Sequence, residues 1–68
     1  MSRRIDIQTR QLRRSAIEII KRELRGKDLA TIDRRKLVLW IMSMFDCSRI
    51  TARDYLDVAV AELESESK

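Results

Sequence analysis

Leu37-Val38-Leu39-Trp40-Ile41-Met42-Ser43-Met44-Phe45-Asp46-Cys47-Ser48-Arg49-Ile50-Thr51-Ala52-Arg53-Asp54-Tyr55-Leu56 is the stretch whose reading decides the fold. Its first nine residues are apolar except Ser43, too few to span a bilayer but enough for a buried helix. Asp46 and Cys47 break the run. Ser48 then supplies a side-chain oxygen able to accept from the free N–H groups that open a new helix. Ala52, Tyr55, Leu56, Ala59, Val60 and Leu63 recur at helical spacing and predict a buried stripe on that helix, which should run over 49–63.

Outward from this pair of helices, the upstream chain predicts another. Leu12, Ala16, Ile19, Ile20 and Leu24 recur with helical period, Ile17 widens the stripe, and Gly26 suits a left-handed helix terminus. The first helix is thus expected over about 7–25, starting at a cap on Asp6 or Thr9, and the second over 33–45. Asp33 is the favoured cap of the second, with Ile32 and Leu37 as a hydrophobic staple, and Thr31 competes. With no proline and a single glycine, the chain reads as all-α, a three-helix bundle. Residues 1–6 are expected as a basic arm and 64–68 as a frayed acidic tail.

The middle helix is apolar on nearly every side. Leu37, Ile41, Met44 and Phe45 offer a face for the first helix. Leu39, Trp40 and Met42 exceed what so small a bundle can cover, which predicts a homodimer interface there.

The chain has 68 residues, 15 basic and 11 acidic, for a net charge of +4. The charge is uneven: residues 1–36 hold 12 basic and 5 acidic side chains, residues 37–68 only 3 and 6. The basic half is mostly arginine, whose planar fork suits phosphate, so a nucleic acid is the expected partner. Lone Cys47 forms no internal disulfide, and with no histidine no metal site or cofactor is expected. The absence of a glycine-rich phosphate loop or clustered carboxylates points away from an enzyme. The amino terminus lacks the apolar core of a secretion signal, so an intracellular, cytoplasmic protein without membrane association is expected.

The segment 37–56 resembles the two-helix core of the helix-turn-helix superfamily, written as an apolar helix, a small turn and Ser48-x-x-Thr51-Ala52-Arg53-x-Tyr55-Leu56. It is similar to small helix-turn-helix and winged-helix regulators of archaea and their viruses and plasmids. The resemblance implies a transcriptional regulator whose third helix enters the major groove of duplex DNA. On that reading Arg49, Ile50, Thr51, Arg53 and Asp54 meet base edges, with Asp54 orienting Arg49 or Arg53. Arg34, Arg35, Lys36 and Ser48 contact phosphate, and Arg3 and Arg4 follow the backbone or a minor groove. Two departures qualify the match: nothing after Val60 suggests a wing, and Asp57, Glu62, Glu64 and Glu66 make the later part of the third helix acidic.

Two other readings stay open. Residues 3–8 alternate like a strand, as in a ribbon-helix-helix repressor that inserts paired strands into the groove. Alternatively, Leu39, Trp40 and Met42 grip a protein partner and DNA plays no part.

Overall fold

The computed structural model describes the backbone of residues 2–66 and the side chains of residues 11–66. Three helices account for nearly all of it: α1 (Ser2–Leu24), α2 (Arg34–Phe45) and α3 (Arg49–Glu66). No strand occurs among the described residues, so the fold is all-α and residues 3–8 are helical. The strand that a ribbon-helix-helix arrangement requires is absent at that position.

Local chemistry sets the helix ends. The Asp33 side chain accepts the Lys36 N–H at 3.2 Å and caps α2. Thr31, the competing cap, is used in a turn instead, its N–H and hydroxyl both donating to the Asp28 carbonyl. After α1, Gly26 takes φ +84° in the left-handed region, where a residue without Cβ carries no steric penalty. α2 closes at Asp46, also left-handed at φ 51° and ψ 53°, and the Met42 carbonyl accepts its N–H. The Ser48 hydroxyl oxygen accepts the Thr51 N–H at 3.2 Å and opens α3.

The long outer helices run parallel. Arg13–Asp54, Lys21–Glu62 and Arg25–Glu66 pair at 3.0, 3.1 and 2.9 Å, and each pair is separated by 41 positions in sequence. A constant offset over three turns requires α1 and α3 to point the same way. α2 returns the chain from the end of α1 to the start of α3. It packs on α3 and meets α1 only marginally, so α3 is the element both others share. The face Leu37-Ile41-Met44-Phe45, expected against the first helix, is replaced by Val38 and Ile41 buried mainly against α3, with Met44 exposed.

The core joins Ile17, Ile20 and Leu24 of α1 to Val38 and Ile41 of α2 and to Ala52, Leu56, Ala59, Val60 and Leu63 of α3. The α1 stripe is turned from its expected position. Leu12 is 69% exposed and Ile19 39%, whereas Ile17 is completely buried. Lys21, only 5% exposed, lies on the turned face, and its ammonium reaches three carboxylates, Glu18, Glu62 and Glu66. Arg14 adds a two-pronged pair to Glu62 at 2.7 and 2.8 Å.

The helix ends also differ from those expected. Residues 2–6 continue α1 rather than preceding it as an arm, and α3 persists to Glu66 instead of fraying after Leu63. Glu62 and Glu66 tie that last turn to α1.

Hydrogen bonds from Arg14 and then Lys21 hold the Glu62 carboxyl at about 2, below its ordinary 4.5. The Lys21 bond lowers Glu66 as well. A carboxyl lowered in the folded state stabilises the fold above its unfolded value, and that contribution disappears as it is protonated. Stability is therefore expected to fall as pH drops from about 4.5 to about 2, and Glu62→Gln should flatten that decline. Urea midpoints for parent and variant at pH 6, 4 and 2.5 check this; parallel pH curves would disprove it.

Candidate nucleic-acid interface

α2 and α3 meet at a corner with one residue between their caps. Asp46 ends one helix, Ser48 begins the other, and Cys47 lies between them, half-buried, its thiol 3.9 Å from the Ile41 carbonyl. Ala52, fully buried, lets the two helices approach one turn further on. Beside this corner opens a cleft of about 380 Å³ with an apolar floor of Val38, Leu39 and Leu56. Arg34 and Arg35 line it from the first turn of α2, and Arg49 and Arg53 from the first turns of α3. All four arginines are exposed. The four arginines thus line one cleft, two from the first turn of α2 and two from the first two turns of α3.

Ion pairing makes this face distinctive. On α1 and the turn that follows it, Arg13, Arg14, Lys21, Arg25 and Lys27 all face carboxylates, and four of the five reach into α3. Among the described residues, Arg35, Lys36, Arg49 and Arg53 have no such partner, and Arg22 is the one other cation in that state. Arg13, Arg14, Lys21, Arg25 and Arg34 of the basic amino-terminal part meet carboxylates of α3, and four of the five described cations without a partner, Arg35, Lys36, Arg49 and Arg53, lie in the first turns of α2 and α3.

The expected site residues divide accordingly. Arg34, Arg35, Arg49 and Arg53 come together, with Lys36 exposed in the same first turn as the first two. Ile50, 82% exposed, stands on the outer ridge of α3 one position from Arg49. Thr51 and Ser48 are engaged with each other: the Ser48 hydroxyl donates to the Thr51 hydroxyl at 3.1 Å while accepting the Thr51 N–H. Asp54 does not orient Arg49 or Arg53, because Arg13 of α1 holds it at 3.0 Å. The side chains of Arg3 and Arg4 lie outside the described residues.

Of the three interface candidates, Trp40 and Met42 are half-buried against the chain's own core. Leu39, 51% exposed, lines the arginine cleft. One residue on this face was not singled out from sequence. Asp57 lines the cleft and pairs with Arg34 at 3.0 Å. The spacing Arg49, Arg53, Asp57, four residues apart each time, places all three on one side of a helix and was the available signal.

Comparison with known proteins adds nothing to this geometry: no family model, no curated protein and no solved structure matches the chain.

Proposed function

We propose that this protein is a sequence-specific DNA-binding regulator that applies the Arg34, Arg35, Arg49 and Arg53 cleft to duplex DNA, with the start of α3 in the major groove. The observation that carries the reading is a cluster of exposed cations on one face, of which Arg35, Lys36, Arg49 and Arg53 have no carboxylate partner among the described residues, while Arg13, Arg14, Lys21 and Arg25 are paired with α3. Phosphate is the ligand such a surface is built to attract, and arginine reads guanine through two parallel donors.

Geometry on α3 fits base contact. Arg49 and Arg53 are one helical turn apart, about 6 Å along the axis, against a step of about 3.4 Å between bases on one strand. They can therefore address bases about two steps apart, with Ile50 placed to meet a thymine methyl. Arg34, Arg35 and Lys36 hold phosphates at the start of α2. Ser48 serves as the cap that fixes α3. A homodimer on an inverted repeat, half-sites about one helical turn apart, belongs to the same proposal. It is the reading of a binding protein, with no catalytic step.

The test is titration of labelled duplex from a pool selected for binding, over a range of salt. Arg35, Lys36, Arg49 and Arg53, the four cations here without a carboxylate partner among the described residues, give a slope of log affinity on log salt near −3.6, a loss of about 150-fold between 50 and 200 mM. Sedimentation of the complex should find two chains per selected duplex. A duplex affinity indifferent to salt, or none at 50 mM, would sink the DNA reading and favour a module gripping a protein partner through Leu39, Trp40 and Met42.

A further inference from the structure

Arg34 differs from its neighbours in the cleft. Its guanidinium donates to the Asp57 carboxylate at 3.0 Å, and both side chains are more than half exposed, at 53% and 62%. Asp57 is the one carboxylate lining a cleft otherwise furnished with arginines and apolar side chains. An exposed pair of this kind contributes little to the stability of the fold. Its position matters more, because it lies within the surface that meets phosphate.

We propose that Asp57 limits the affinity of this cleft for nucleic acid by neutralising Arg34, an inference resting on the DNA reading above. Non-specific affinity depends on how many phosphates are neutralised and how many counterions leave. While Arg34 faces Asp57 the pair contributes no net charge to that count. Random duplex is therefore held by Arg35, Lys36, Arg49 and Arg53. Asp57 thus lowers affinity for every sequence by the share of one cation.

The experiment is a double-mutant cycle on random-sequence duplex with Asp57→Asn, Arg34→Ala and the double variant, with affinity measured from 50 to 200 mM salt. Asp57→Asn frees one cation, so its affinity should rise several-fold and its salt slope should steepen by about 0.9. Its advantage over the parent should then shrink about 3.5-fold across that range. Arg34→Ala should lower random-duplex affinity, because Asp57 is left without its partner, and the double variant should return to the parent's salt slope. Parent and Asp57→Asn with equal affinities and slopes, or a double variant that keeps the slope of Asp57→Asn, overturns the role of Asp57 and leaves the DNA reading standing. A parent that binds no duplex overturns both.

Discussion

Replacing Arg49 and Arg53 together by alanine is expected to lower affinity for a selected duplex at least about 30-fold while leaving the helical content unchanged. Each arginine, if it reads a guanine bidentately, is worth about 1–3 kcal/mol of discrimination, and the two side chains lie in one cleft on adjacent turns. Both are exposed, so their loss should alter folding by no more than about 0.5 kcal/mol. Arg53→Lys separates two contributions, since lysine keeps the charge but lacks the planar fork. It should retain much of the affinity for random duplex and lose most of the preference for the selected one. Arg22→Ala is the control: Arg22 is also without a carboxylate partner among the described residues, but lies on α1 with Ser15, Glu18 and Ile19. Unchanged affinity for selected duplex in the Arg49 and Arg53 double variant would remove α3 from the site.

Leu56→Ala should have the largest effect on folding. Leu56 is 1% exposed, among the largest fully buried side chains, and sits where α3 is packed by both other helices. Truncating a buried leucine to alanine costs about 2–5 kcal/mol, while a bundle of this size holds only about 3–5 kcal/mol in its core. Folded and unfolded chains should then become comparably populated near room temperature, and the thermal midpoint should drop by more than about 10 °C. Leu12→Ala removes the same atoms from a side chain 69% exposed and should shift the midpoint very little. Thermal and urea unfolding followed by circular dichroism decide the matter: similar midpoints for the two variants would place the core elsewhere.

The parts of this molecule that were legible in its sequence are those decided within a few residues. Ser48 and Asp33 cap because their oxygens reach an N–H three positions ahead, and Gly26 turns left-handed because it has no Cβ. The buried stripe of α3 was readable for the same reason, except that Tyr55 is only half-buried. What escaped depends on which helix lies beside which. Glu62 and Glu66 look like a solvated tail until α1 is laid parallel to α3, where they become the partners of Arg14, Lys21 and Arg25. Leu12 fits a helical stripe as well as Ile17 does, and only the buried Lys21 shows which way α1 faces. Asp54 could be placed on α3 but not assigned to Arg13, forty-one positions away. Composition counts charges without their counter-charges, so it does not separate Arg35 and Lys36, which have no carboxylate partner among the described residues, from Arg13, Arg14, Lys21 and Arg25, which do.

Between the left-handed Asp46 and the capping Ser48 there is room for no hinge: a single residue, with its thiol tucked toward the Ile41 carbonyl, separates two closed helix ends. The backbones that carry Arg34, Arg35, Arg49 and Arg53 are consequently parts of one stiff bracket. A polyanion settling against it would have to freeze side-chain rotamers but no loop, so the entropic penalty of docking is confined to the tips of the arginines.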